Sequence, residues 1–276
     1  MNEEAVRWLE TLEKEPFFLW IHYMDVHMPY VPPNEQLKEL GLKRYSHAKK
    51  IWLGQKIDDV KMREKIKDSE IEDYINLYDA CIRYTDEQIN KLISIIEKKY
   101  QDTLFVISAD HGEEFREHGD LSHLEKLYDE LLHVPLIFYG RNVKHQIVEK
   151  PVSLISLSPT ILDFIGVNNK NWFQGENVFE TDPFIIAETW KQKRITAYRD
   201  HTWKFIQNGN NCEFYNIVED VSETVNLCKK QKYKDEVKKI KNILKEHTSR
   251  LEEERRKRET WLQKEKIKTV MKKMKI

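Results

Sequence analysis

The chain has 276 residues, 40% hydrophobic and 11% aromatic, which is enough for a packed core and excludes wholesale disorder. No run approaches the roughly 18 uninterrupted apolar residues of a membrane-spanning helix. Three cysteines, Cys81, Cys212 and Cys228, share no metal-type spacing, so neither a zinc ribbon nor a disulfide-stapled scaffold is expected. The start, Met1-Asn2-Glu3-Glu4, lacks the basic and apolar regions of a signal peptide, and a cytoplasmic setting is expected. The net charge of -1 hides an asymmetry: residues 229–276 carry 19 Lys/Arg against 8 Asp/Glu, so a basic tail follows an acidic body.

Ala5, Trp8, Leu9 and Leu12 keep a helical period and predict a short opening helix. Phe17-Phe18-Leu19-Trp20-Ile21-His22 predicts a buried strand, which runs into a loop extended by Pro29, Pro32 and Pro33. Residues 34–69 are charge-rich and predict helical pieces on the surface. From Ile71 to Ile96 one apolar face predicts a long helix. Residues 103–108 predict a central strand and residues 134–139 another, closed by Gly140. Strand, helix, strand is the crossover grammar of an α/β domain. Ser158-Pro159-Thr160 starts a helix that Gly166 ends. Short strands at 184–188, 195–198, 203–207 and 213–216, with Asn208-Gly209-Asn210 as a hairpin signal, predict a small antiparallel sheet. From Asp235 the chain lacks proline and glycine and predicts charged helix.

The chemistry gathers at predicted strand ends. Asp110 and His111 emerge after the 103–108 strand, where ligands collect in open α/β sheets, and Gly112 lets the backbone turn. An adjacent carboxylate and imidazole can ligate one divalent ion; an Asp-rich turn after a strand reads equally well from the spacing. His27, before a proline loop, can donate to an anionic oxygen or move a proton. His123 and Lys126 are candidate cationic contacts to the same anion. His118 and His133 point to nothing by themselves.

Several of these segments occur in one order. Residues 16–30, from Pro16-Phe17-Phe18 through Asp25-Val26-His27-Met28-Pro29-Tyr30, are followed by Ser108-Ala109-Asp110-His111-Gly112-Glu113-Glu114-Phe115 and Glu117-His118-Gly119. Then come Tyr128-Asp129-Glu130 with His133-Val134-Pro135, Ser158-Pro159-Thr160, and Glu213-Phe214-Tyr215-Asn216. Over residues 5–228 this resembles the sulfatase family of the alkaline phosphatase superfamily. The resemblance implies a mostly parallel α/β sheet flanked by helices, with a small C-terminal antiparallel sheet and a charged terminal helix. With the charge and composition of the tail, it divides the chain into an incomplete α/β core at 1–180, an antiparallel subdomain at 181–228 and, beyond the resemblance, a basic helical tail at 229–276. It implies that Asp110 and His111 bind a divalent cation, calcium first, with manganese, magnesium or zinc as alternatives. It implies that His27 and His123 contact the sulfate or leaving oxygen, with Lys126 as a near neighbour.

The family's opening strand with paired acidic ligands and its Cys/Ser-x-Pro-x-Arg nucleophile have no match here. Asp58-Asp59 has no strand before it, and Cys81 sits on a helix face. The expected function is therefore the later portion of a metal-dependent sulfate-ester hydrolase, acting on an anionic ester and completed by an N-terminal segment or chain. A phosphoester or phosphonate hydrolase, or a phosphoalcohol transferase, is the alternative, and a non-catalytic binding remnant the rival. In the tail, Ile267, Val270, Met271 and Met274 keep helical spacing among lysines, which suits an anionic membrane surface; no module for nucleic acid accompanies the charge.

Overall fold

The structure, a computed structural model, describes residues 1–274 apart from 14–15, 141, 168–172 and 190–193, with side chains described as far as Trp261. The chain forms two compact units, residues 1–124 with 130–145 and residues 125–129 with 146–276.

In the first unit, α1 (Asn2–Glu10) is followed by α2 (Asn34–Glu39), α3 (His47–Asp58) and α4 (Val60–Arg63). Ser46 caps α3 by accepting the Lys49 N–H, and Asp59 caps α4 by accepting the Met62 N–H. The paired aspartates are thus a helix boundary. The backbone of the unit is α5 (Asp68–Lys99), a 32-residue helix without glycine or proline. Acids open it and lysines close it, as the helix dipole favours. Tyr74, Leu77, Ala80 and Cys81 of its first half close a core with Leu37, Leu53, Ile57 and Leu121. Leu92 and Ile96 of its second half pack with Ala5, Leu9 and Tyr100.

Strands β1 (Phe105–Ser108) and β4 (Leu136–Tyr139) flank a short hairpin of β2 (Glu114–Phe115) and β3 (Leu121–Ser122) and the single turn of α6 (Asp129–Leu132). β1 and β4 pair antiparallel, with Phe105 opposite Tyr139 and Ser108 opposite Leu136. The α/β architecture holds, but among the described strands no parallel pair forms. The strand expected at 17–22 is not formed either. That segment alternates as a strand should, with Phe17, Leu19 and Ile21 packed on the α1–α5 cluster and Phe18 and Trp20 79% and 78% exposed. Among the described residues its backbone meets no other backbone, and a strand exists only with a ladder partner.

In the second unit a 3₁₀ turn at Leu154–Ser156 leads into α7 (Leu157–Phe164), which begins just ahead of the expected Ser158. Gly166 leaves α7 at φ 73°, in the left-handed region expected after a helix end. Strands β5 (Phe184–Thr189), β6 (Ile195–Asp200), β7 (Trp203–Asn208) and β8 (Asn211–Asn216) form an antiparallel meander in chain order. Its Tyr198, Phe205 and Phe214 pack against Val237, Ile240 and Leu244 of α8 (Lys234–Met274). Buried Lys204 lies between Asp129 and Glu223, with Arg199 also on Asp129.

One pairing goes beyond the sequence reading. Cys212 and Cys228 form a disulfide, with Cα atoms 6.2 Å apart. After β8 the chain turns back until the Leu227 N–H donates to the Phe214 carbonyl, so residues 16 apart in sequence come side by side. Linear spacing carries no trace of that return. Cys81 remains a free thiol, buried and pushed up to about 12 by that burial, which makes it inert. No helix among the described residues is long and apolar enough to cross a membrane. The basic stripe expected at Ile267, Val270, Met271 and Met274 lies outside the described side chains.

Candidate active site

The site forms where β1 ends. The chain leaves Ser108, whose hydroxyl donates to the Pro135 carbonyl, and runs through Asp110 and His111. Gly112 then passes against α6: its N–H donates to the Leu131 carbonyl, and a Cβ added there would fall 2.0 Å from the Glu130 oxygen. Only glycine fits, so the backbone carrying Asp110 and His111 is pressed onto α6.

The β2–β3 hairpin brings His123 back to the same place. Fully buried Glu114 holds the hairpin from inside by accepting the His118 and Asp120 N–H groups at 3.1 and 2.8 Å. Arg116 and Ser122 take φ of 78° and 75°, left-handed values costly for residues with a side chain. Ser122 is also buried, and its unusual backbone aims the next residue, His123.

The rings of His111 and His123 stack with centroids 4.2 Å apart, and the ring of His27 lies tilted 5.2 Å from that of His123. His27 Nδ1 is 2.7 Å from the Met28 carbonyl oxygen, and His111 Nδ1 is 2.8 Å from that of Gly112. A carbonyl only accepts, so in both rings Nδ1 carries the proton and Nε2 is left for a ligand. His123 Nδ1 is 3.2 Å from a carboxylate oxygen of Glu113. All three imidazoles therefore have Nδ1 engaged.

Asp110 is exposed; its Oδ1 accepts the His111 N–H at 3.1 Å and lies 3.8 Å from His111 Nε2. Metal–ligand bonds of roughly 2.0–2.6 Å place neighbouring donors at about this separation. This oxygen and nitrogen fit two adjacent positions around one divalent ion. Among the described residues no set of three or more His, Cys, Asp or Glu groups could hold a metal, so Asp110 and His111 offer two donors and no third.

The structure thus joins Asp110, His111, His27 and His123 in one cluster. Lys126 belongs to the second unit. Two residues of the cluster escaped sequence reasoning: Glu113, and Tyr30, whose hydroxyl donates to Glu113 at 2.6 Å. Both lie inside the quoted motifs, but nothing in the linear order says that they meet across 83 residues.

The family model "Sulfatase" matches residues 1–167, more than half of the chain. The chain belongs to the sulfatase family. Among curated sulfatases it is similar to the uncharacterized sulfatase YidJ of Escherichia coli K12, 28% identical over a 187-residue alignment that covers 64% of this chain and 38% of that protein. It is also similar to the delta 4,5-hexuronate-2-O-sulfatase of Bacteroides thetaiotaomicron, 26% identical over 210 residues, covering 66% of this chain and 42% of that one. The chain thus spans about two-fifths of the length of these relatives. In fold it resembles the phosphonate monoester hydrolase of Agrobacterium radiobacter, with TM-score 0.67 and 15% identity over 90% of this chain and 60% of that one.

Proposed function

We propose that this sulfatase-family chain is the metal-binding, later portion of a sulfate-ester hydrolase whose nucleophile comes from the remaining part of the family's enzyme. The observation that carries the reading is the imidazole cluster: three rings in contact, each with Nδ1 engaged, beside the Asp110–His111 donor pair. With Nδ1 held by the protein, Nε2 of these rings is the atom left for a ligand, and it can donate to an anionic oxygen once it is protonated.

Asp110 and His111 would hold a divalent cation, calcium first as the family resemblance implies, which would supply positive charge to the sulfate oxygens. His27 would serve the leaving oxygen, its Nε2 able to give or take a proton. His123 would bind a sulfate oxygen. A sulfated sugar is the substrate class the named relative supports, since that enzyme is a hexuronate-2-O-sulfatase. An anionic membrane surface for the basic tail is a further proposal, resting on composition alone.

Calorimetric titration of the full chain with calcium, then with inorganic sulfate, tests the reading. Binding lost on Asp110→Ala or His111→Ala supports it; calcium heats unchanged in both variants overturn it. With the completing portion supplied, nitrophenyl sulfate should turn over faster than the matching phosphonate ester. The reverse order would favour the phosphonate chemistry.

A further inference from the structure

We propose that Glu113 is a positioning residue for His123, its buried carboxylate accepting the Nδ1–H of that imidazole so that Nε2 faces the site, where it takes up a proton to donate to an anionic oxygen. The inference rests on the role given to His123 above and assigns a task to a residue outside it.

Glu113 is 8% exposed, and a carboxylate so buried must be hydrogen-bonded to persist as an anion. Its two oxygens are divided. Oε2 accepts from the Tyr30 hydroxyl at 2.6 Å, and Oε1 lies 3.2 Å from His123 Nδ1. Tyr30 is itself buried, and burial and the neighbouring Glu113 both push its phenol upward, so it stays a donor. Tyr30 thereby fixes which Glu113 oxygen is left for the imidazole. The Ser122 hydroxyl, 3.5 Å from Nδ1, is too distant to decide the tautomer.

The asymmetry among the three rings carries the argument. His27 and His111 have Nδ1 pinned by the carbonyl of the next residue, an arrangement built into the backbone. His123 has no such carbonyl and takes its acceptor from a side chain ten residues earlier. A carboxylate behind an imidazole fixes its tautomer and the plane of its ring.

Histidine-selective ¹⁵N labelling of the full chain reads tautomers ring by ring. In the wild type His123 should show the Nδ1–H pattern. In Glu113→Leu that pattern should be lost from His123 and kept by His27 and His111. An unchanged His123 pattern in a folded Glu113→Leu protein overturns the proposal. If that variant does not fold, Tyr30→Phe/Glu113→Leu removes both partners together and leaves no orphaned hydroxyl; the same loss at His123 is expected, and the same persistence overturns it. Inorganic sulfate added to the wild type separates the two readings. Nε2 signals that ignore sulfate while the variant switches tautomer sink the anion role and leave the positioning role standing. A sulfate response with no tautomer change does the opposite.

Discussion

The ring of His111 stacks on that of His123 at 4.2 Å, one ring carried by the end of β1 and the other by the residue after β3. Under the proposed roles, a residue for the cation and a residue for the anion would share a face. Replacing His123 with alanine should loosen His111, and calcium affinity should fall severalfold without removal of a ligand. Calorimetry of His123→Ala beside His111→Ala checks this: partial loss in the first and full loss in the second are expected.

The ring of His27 meets that of His123 at 5.2 Å, and under the proposed roles it would hold no cation. His27→Ala should leave calcium binding unchanged within error and weaken sulfate binding. An effect on calcium equal to that of Asp110→Ala would remove the division of labour between the rings.

The Cys212–Cys228 cross-link ties β8 to the loop before α8. Closing a loop of this length stabilises a fold by about 3 kcal/mol, so Cys212→Ser/Cys228→Ser should lower the melting temperature by several degrees. Thiol alkylation of the unfolded, unreduced protein should label Cys81 alone. Full labelling of all three cysteines would mean the bond is absent and would restore the reducing setting that the sequence suggested.

Lys56 and Glu70 pair at 2.7 Å, largely shielded, and the Lys56 hydrogen bond holds the Glu70 carboxyl below its ordinary value. A depressed carboxyl adds stability above its unfolded value and loses it as pH falls through the folded value. Denaturant melts should therefore show stability falling on the acid side, below about pH 4.5, the Glu70 reference value. Glu70→Gln should cost about 1–3 kcal/mol at neutral pH and flatten that acid limb. A parallel shift of the whole curve would assign the acid loss to other groups.

Lys204 is fully buried between Asp129 and Glu223. Burial raises Asp129, but Lys204 and Arg199 outweigh it and leave that carboxyl below its usual range. At Glu223 burial wins, and its carboxyl sits above. Lys204→Met leaves two acids facing each other with one cation fewer and should destabilise by about 3–5 kcal/mol. A loss below about 1 kcal/mol would show that Arg199 alone suffices.

Much of this was legible before the structure. The long helix α5 announced itself because Ile71, Tyr74, Cys81, Leu92 and Ile96 keep one face, and the 3.6-residue period survives any tertiary context. The β5–β8 meander was legible because antiparallel neighbours follow each other in sequence and Gly209 marks the turn between two of them. Asp110 and His111 were legible as residues just past a strand end, whereas the strand expected before His27 does not form. What stayed hidden depends on long returns of the chain. The Glu113–Tyr30 bond, the Cys212–Cys228 bridge and the Lys204 cluster all join segments that no periodicity links. The failed strand at 17–22 shows the converse: Phe17, Leu19 and Ile21 alternate as required, but alternation states what a segment can do and pairing decides what it does.

That segment also dictates how the protein behaves in a tube. Phe18 and Trp20 stand out from a stretch whose amides and carbonyls hydrogen-bond to no other backbone among the described residues, the condition under which an extended segment can pair with another chain. Two copies in concentrated solution would zip through it, and a chromatographic peak would drift to larger size with loading. Trp20 would report the event, its emission moving to the blue as water is stripped from the indole. Trp20→Lys should sharpen the peak and leave the histidine cluster intact.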